Sequence, residues 1–556
     1  MLKSALYSSL FPTRMNCFYI ALFVLIGLVA CKSKEEPLNS LGVVSFEVTV
    51  SKEAESLFEK GLLLLHSFEF DDAEKAFQEA RLADPYCLMA YWGEAMTHNH
   101  PLWRYQNKEK AREIINKGDE ILKEQKESAY SELELDFWRS LHVLYDENGT
   151  KNERDLAYSV AMEQMYQKYP ANHEVAAFYA ISLLGSVAEG RDDATYERSA
   201  VITKSILREN PSHPGALHYL IHAYDDPDHA FLAIDAADNY AKVAPDAAHA
   251  LHMPSHIYVA LGMWDENIQS NIDSYEASIR RMERENLDND ARSYHALHFL
   301  MYGYLQKGKL SKTRDIVEKV AKYTQELPSP RARGYLVSMT GNQWVESGTV
   351  IPEYLGMEIE LSDLNVVAKA THAFVLASLA ASDNNVNELN AIADTLYRQI
   401  QAARLIVTNE ATPMCSAVPM RNVPNRLDIG QAEVVLLQIQ SIQAELAGNI
   451  SLQDKLLAEA SEKEMNLSYE YGPPTIVQPS FEMYGKFLLN QGRYEDAFTQ
   501  YQKALHRGPG RMHALKGISM ALDGLGKREK SEEYKQLLQA NLKDADHEFQ
   551  KMLEAS

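Results

Sequence analysis

Cysteine is scarce, with four in 556 residues, and two of them, Cys17 and Cys31, fall in or at the end of the amino-terminal leader. Cys87 and Cys415 are left for the whole body, too few and too far apart for a disulfide framework. Buried free thiols are the plain reading. Positive charge is also short: 55 Lys and Arg against 78 Asp and Glu give a formal net charge of −23. No basic run stands out, which excludes nucleic acid, because a phosphate backbone must be neutralised by clustered Lys and Arg. Glycine (26) and proline (20) are few while 46% of residues are hydrophobic, so the chain is ordered and helix-friendly rather than disordered. Alternating strand patterns are missing throughout. Reaction signatures are missing too: no Gly-rich phosphate loop, no Gly-x-Ser-x-Gly elbow, no Cys–His nucleophile pattern and no His-Glu-x-x-His. The expectation that follows leans away from an enzyme.

The amino terminus carries Lys3 and Arg14 ahead of an almost uncharged stretch, Met15 to Ala30, which reads as a signal peptide. It ends in Leu28-Val29-Ala30-Cys31. That string resembles the bacterial lipobox, which implies cleavage before Cys31 and acylation of its sulfur and amine, a durable membrane anchor. An uncleaved anchor helix or an ordinary secretory signal are the alternatives. Lys32 follows the cysteine, and Lys34-Glu35-Glu36 resembles the export tag of surface lipoproteins of Bacteroidetes. The expected location is the bacterial outer membrane, with the outward or periplasmic orientation left open.

A 34-residue period runs through the body. With Ala54 at position 1, Gly61, Ala73, Phe77, Ala80 and Pro85 fall at positions 8, 20, 24, 27 and 32. Phe481, Gly485, Gly492, Ala497, Tyr501, Ala504 and Pro509 fall at 4, 8, 15, 20, 24, 27 and 32 of a second copy, and Gly526 follows Gly492 by 34. The pattern resembles the tetratricopeptide repeat: small residues let helix A and helix B approach, an aromatic fills the gap, and proline stops helix B. Pro211 and Pro245, 34 apart, continue the phase through the middle. Residues 135–200 and 365–465 show helical periodicity with partial repeat signatures. The fold expected is all-α, an α-solenoid of such repeats; helical bundles carrying two true repeats are the alternative. The organisation reads as a signal peptide (1–30), a tether (31–50), N-terminal repeats (51–135), central His-rich repeats (136–345), a diverged helical region (346–470) and C-terminal repeats (471–556).

Histidine is unevenly placed. Nine of the 18 fall between His213 and His298. His218 and His222 take positions 5 and 9 of one repeat; His249, His252 and His256 take 2, 5 and 9 of the next; His295 and His298 take 2 and 5 of a later copy, with Tyr302 at 9. Residues three and four apart share a helical face, and in tetratricopeptide proteins these positions face the concave groove. All seven are therefore candidate groove residues. Three readings stay open: packing between helices, a polar groove for a peptide, protein or glycan, and a transition-metal site. For the last, His218, His222, His252 and His256 are the candidate ligands of Zn, Cu, Ni or Fe, since neutral imidazole at His-x3-His spacing suits them. Asp225, Asp226 and Asp246 are the acids near enough in sequence to support an imidazole. In AYWGEAMTHNHPLW, Pro101 is expected to end a helix, with Trp92 and Trp103 plugging the first superhelical turn. Together with the His213–Asn271 stretch and PPTIVQPSFEMYGKFLL, this string resembles a family of large bacterial tetratricopeptide-repeat proteins, which implies architecture more than activity. Surface lipoproteins of polysaccharide-utilisation systems share such repeats, so a place beside one is a further expectation.

Overall fold

The structure, a computed structural model, describes residues 40–407, 423–469 and 472–555. Cys31, the leader and Cys415 lie outside these residues. The described chain is helix after helix, with one two-stranded ribbon, Asn99–His100 against Tyr105–Gln106. Most helices pack on the next along the chain. This is the all-α repeat stack that the periodicity predicts. No helix among the described residues is long and apolar enough to cross a membrane.

The repeat residues do the steric work expected of them. Helix Lys52–His66 and helix Phe70–Ala83 meet across Gly61 and Phe77, and Phe77 is completely buried. A Cβ on Gly61 would sit 2.8 Å from the Phe77 ring, and one on Gly93 in the next helix only 2.3 Å from it. Tyr501 fills the same gap between Gly485 and Gly517. Helices end just before the predicted prolines: Ala83 before Pro85, Glu209 before Pro211, Val243 before Pro245 and Arg507 before Pro509. The His-bearing A helices begin at Pro214, Ala248 and Tyr294, position 1 of each repeat.

Repeat arrays are quasi-one-dimensional in that each unit touches its neighbours. Here the array also curls back on itself. Arg281 forms a two-pronged 2.8 Å pair with Asp72 of the first repeat, and the His249 N–H donates to Glu69 at 2.8 Å. Trp264 Nε1 donates to the Gly510 carbonyl, and the Asp546 N–H to that of Gly308. Gly262, in the left-handed conformation that ends helix Pro254–Leu261, abuts Pro509 so closely that any Cβ would strike its carbonyl. The central repeats are thus held from both sides, with a cleft between them and the N-terminal ones. The expected tether is corrected in its second half: Val43 N–H bonds the Ser212 carbonyl at 2.9 Å, Phe46 packs on Phe58, Trp92 and Phe137, and Thr49 N–H donates to Glu134.

Candidate metal centre

Six of the seven predicted histidines converge. His218 and His222 come from helix Pro214–Tyr224, one turn apart. His249 and His252 come from helix Ala248–His252; Pro254 opens the next helix, which carries His256, and helix Tyr294–Gln306 adds His295. Within this group, His218, His222 and His249 bring one ligating nitrogen each to within 4.8 Å of one another, and His252, His256 and His295 do the same. His249 Nε2 stands 3.2 Å from His218 Nε2, and His252 Nε2 3.1 Å from His256 Nε2. His298 is not part of the cluster; its Nε2 bonds Asn342 Oδ1 at 2.6 Å. Tyr302 is also elsewhere, bonded by Arg511.

The partners behind the rings decide their tautomers. His218 Nδ1 lies 2.7 Å from the His66 carbonyl, which can only accept, so Nδ1 carries the proton. His222 Nδ1 donates to Asp225 Oδ2 at 3.2 Å. His252 Nδ1 donates to Asn271 Oδ1 at 2.7 Å. The Asn271 amide cannot be turned the other way, because its Nδ2 donates to the Asn267 carbonyl at 2.8 Å. Three neutral rings therefore aim bare Nε2 lone pairs inward. His222 Nε2 is buried and has no hydrogen-bond partner among the described residues.

Burial keeps the rings neutral. Desolvation, with repulsion from neighbouring imidazoles second, pushes His218, His249, His252 and His295 well below the ordinary histidine range. Desolvation lowers His222 too, partly offset by Asp225. His218, His222, His252 and His256 are all no more than 2% exposed, and His249 is half-buried. The predicted open groove is accordingly corrected to an interior cluster. Phe68 covers one end, 4.3 Å from His218 between ring centroids, and Phe299 the other, within 4.7–5.2 Å of His252, His256 and His295. Phe68 holds a left-handed backbone (φ 56°), unfavourable for a non-glycine residue, at the turn between the first two helices.

A cleft of about 1080 Å³ opens onto the cluster at His249, His252 and His295. Phe70, Trp103 and Arg104 contribute from the N-terminal repeats, Arg281 and Arg331 from the central ones. Glu69 also lines it, with burial pushing its carboxyl up to about 7. Trp103 thus lines the cleft rather than plugging the superhelix, whereas Trp92 is fully buried as predicted. The helix before Pro101 ends earlier than expected, at Met96. Of the three acids, Asp225 alone touches the cluster. Asp226 pairs with Arg191 at 2.8 Å and with His229, and Asp246 is not among the groups contacting the rings.

The sequence reading missed His66, Phe68, Glu69 and Asn271. The first three sit in the A–B turn of the first repeat, far from the His-rich stretch, and no spacing links them to it. His66, Glu174 and His213 form a further buried group, but its nitrogens are spent. His66 bonds Tyr219 at 2.9 Å and Glu174 at 2.7 Å; His213 bonds Glu174 at 3.1 Å and accepts the Ala216 N–H at 3.1 Å. His213 caps helix Pro214–Tyr224, and its ring packs on that of His66. Cys87 is buried, its thiol pushed up to about 12 by desolvation, and so is not a nucleophile.

No family model and no curated protein matches the chain. Among solved structures it is similar to yeast Tom70 (11% identity over 86% of this chain and 90% of that one, TM-score 0.30). It is also similar to human IFIT1 in its dimer with m7Gppp-AAAA (12%, 85% and 95%, 0.34) and to the APC/C Cut9–Hcn1 hetero-tetramer (12%, 97% and 83%, 0.33).

Proposed function

We propose that this chain is a lipid-anchored helical-repeat scaffold of the bacterial outer membrane whose interior histidine cluster binds a transition metal, at the floor of a cleft that admits a ligand. One observation carries the metal reading: three buried imidazoles spend their N–H groups on outer acceptors and turn bare Nε2 atoms into the cluster, where His222 Nε2 has no hydrogen-bond partner among the described residues. A buried acceptor without a donor costs about 1–3 kcal/mol. A cation removes that cost. Metal–nitrogen bonds of about 2.0–2.1 Å at tetrahedral angles put ligand nitrogens about 3.3 Å apart, close to the 3.1 and 3.2 Å seen here. Asp225, Asn271 and the His66 carbonyl are the kind of outer partners that fix metal-bound imidazoles.

The ligating set is imidazole throughout, which suits Zn, Cu, Ni or Fe and not the oxygen-seeking Mg or Ca. The full chain purified in detergent should carry such a metal by elemental analysis, and the His222→Ala, His256→Ala double variant should lose it. Metal-free protein whose thermal stability is unmoved by added Zn, Cu, Ni or Fe would end this reading. The anchor rests on the Leu28–Cys31 string and is tested separately: Cys31→Ser shifts the protein out of the membrane fraction, and retention there counts against lipidation. The ligand of the cleft is a peptide, a protein or a glycan; the last accords with the Bacteroidetes-like tag and a place beside a polysaccharide-utilisation system.

A further inference from the structure

Resting on the reading that the cleft admits a ligand, and independent of what the histidines hold, we infer that this ligand is an acidic oligosaccharide. Its sugar rings lie on an aromatic shelf carried by the Asn99–Gln106 ribbon, and its carboxylates are held by Arg331 on one wall of the cleft and by Lys151 and Arg154 on the other.

The shelf is built where the repeat is interrupted. Only Ser67, Phe68 and Glu69 separate the first two helices, whereas residues 97–107 separate helix Leu88–Met96 from helix Lys108–Gln125. The extra chain folds back on itself with His100 opposite Tyr105. Arg104, in the left-handed conformation (φ 55°), lies in the turn and anchors it by donating to the Gly185 and Val187 carbonyls. Rings then gather on one side: His100 stacks on Phe70 at 3.8 Å between centroids, Trp103 stands edge-on to both at 5.2 Å, and Tyr105 lies 5.1 Å from His100. Tyr105 lines the cleft and is 45% exposed. A ring already fixed by packing offers a flat apolar face at little entropic cost.

The charge of the cleft runs against that of the chain. With −23 overall, six Lys and Arg still line it against four Asp and Glu. Arg154 is buried and bonds only oxygen dipoles, the Leu144 and Gly149 carbonyls and Gln106 Oε1. Lys151, on the same helix face, pairs with Asp155 at 2.6 Å. Burial, helped by repulsion from Arg104 and Arg154, depresses the Lys151 ammonium against the pull of that carboxylate. On the central wall Arg331 makes no hydrogen bond and no ion pair among the described residues, and its Nε is buried. A guanidinium in that state is a fork matched to a carboxylate.

The walls also discriminate between anions. A phosphate draws on free N–H groups at a helix N-terminus. Where helix Lys151–Lys168 opens onto the cleft, the Thr150 N–H is spent on Glu153 at 2.7 Å and the Glu153 N–H on Thr150 Oγ1 at 3.3 Å. An extended peptide needs partners for its own N–H and C=O groups. The one carboxamide lining the cleft, Gln106, is committed, Oε1 to Arg154 and Nε2 to Asn99 Oδ1 at 3.0 Å. A sugar acid makes neither demand, and about 1080 Å³ takes a few sugar rings and not a folded domain.

Calorimetry on the full chain in detergent tests this with trisaccharides of galacturonate, mannuronate and guluronate, against neutral maltotriose, a triglutamate peptide and inorganic phosphate. At least one uronate should bind, tenfold or more tighter than maltotriose, triglutamate and phosphate. Arg331→Gln should weaken it about 10–100-fold with the thermal melt and metal content unchanged, and Tyr105→Ala should weaken the uronate and maltotriose together. Triglutamate or phosphate binding as tightly as the uronates, and lost in Arg331→Gln, overturns the acidic sugar and leaves the cleft a binding site. Uronate binding indifferent to both variants places it outside the cleft and also overturns the inference. No binding of any probe overturns the inference and the ligand-admitting cleft together, with the metal reading untouched.

Discussion

Asn271→Leu isolates the outer support of one imidazole while keeping the branched outline of the side chain. Asn271 is fully buried; its Oδ1 accepts from His252 Nδ1 at 2.7 Å, and its Nδ2 donates to the Asn267 carbonyl and Oδ1 at 2.8 and 2.9 Å. Leucine removes the acceptor that fixes the His252 proton. The ring can then turn its proton to Nε2 and donate to His256, which satisfies the metal-free state and blocks the lone pair that a metal needs. Losing an outer partner of this kind weakens metal binding about 10–100-fold, or about 1.4–2.8 kcal/mol. The cost to the metal-free fold is smaller: the Asn267 carbonyl loses a side-chain donor, partly offset by apolar burial in the same space. Competition for Zn²⁺ against a chromophoric chelator reads the affinity, and a thermal melt of the metal-free chain reads the fold. Affinity unchanged within twofold in a chain that melts normally would show that the His252 tautomer does not govern the site, and the proton count behind the metal reading would fail with it.

Three further outcomes test the frame around the site. Arg511 is buried between Glu346 (2.8 Å) and Glu482 (2.6 Å), so Arg511→Met leaves two carboxylates facing each other in the interior. The expected loss is about 3–5 kcal/mol, seen as release of the C-terminal repeats to limited proteolysis and reversed in part by adding Glu346→Gln and Glu482→Gln. Gly93→Ala drives a methyl to 2.3 Å from Phe77 and should cost about 1–3 kcal/mol, eased by a compensating Phe77→Leu; an unchanged melting temperature refutes that packing account. His298 is held down to about 4 by burial, against about 6.5 in an unfolded chain. The unfolded chain then takes up the proton first, so this stabilisation is present above pH 6.5 and is lost, by about 3 kcal/mol in all, as pH falls toward 4. His298→Leu should flatten the fall in urea midpoint between pH 7 and pH 5, and an equally steep fall in the variant would contradict it.

Much of the architecture is legible in the chain because it is written in local spacings. Gly61 with Phe77, and Gly485 with Tyr501, specify how close two helices come, and the prolines at 85, 211, 245 and 509 specify where the second one stops. Once that phase is read, His218 and His222 fall on one face with His249, His252 and His256 of the next repeat beside them. His298 shows the limit of the rule. It shares a register position with His218 and His252, yet its ring meets Asn342, because helix Pro330–Ser347, rather than another His-bearing helix, packs on that face. Asp226 and Asp246 show the same limit for acids chosen by nearness in sequence.

Local periodicity by itself therefore determined the helical class, the repeat phase and which histidines share a helix face, since 3.6 residues per turn and the bulk of a few side chains suffice for each. Only the tertiary structure decided that the rings are interior rather than exposed, that Phe68 and Phe299 close over them, and that His66, Asn271 and Asp225 fix their protons. Those outcomes depend on how far the array rotates from repeat to repeat until Asp72 meets Arg281 and Glu69 meets His249. That rotation is a sum of many small packing angles, and no single stretch of sequence carries it.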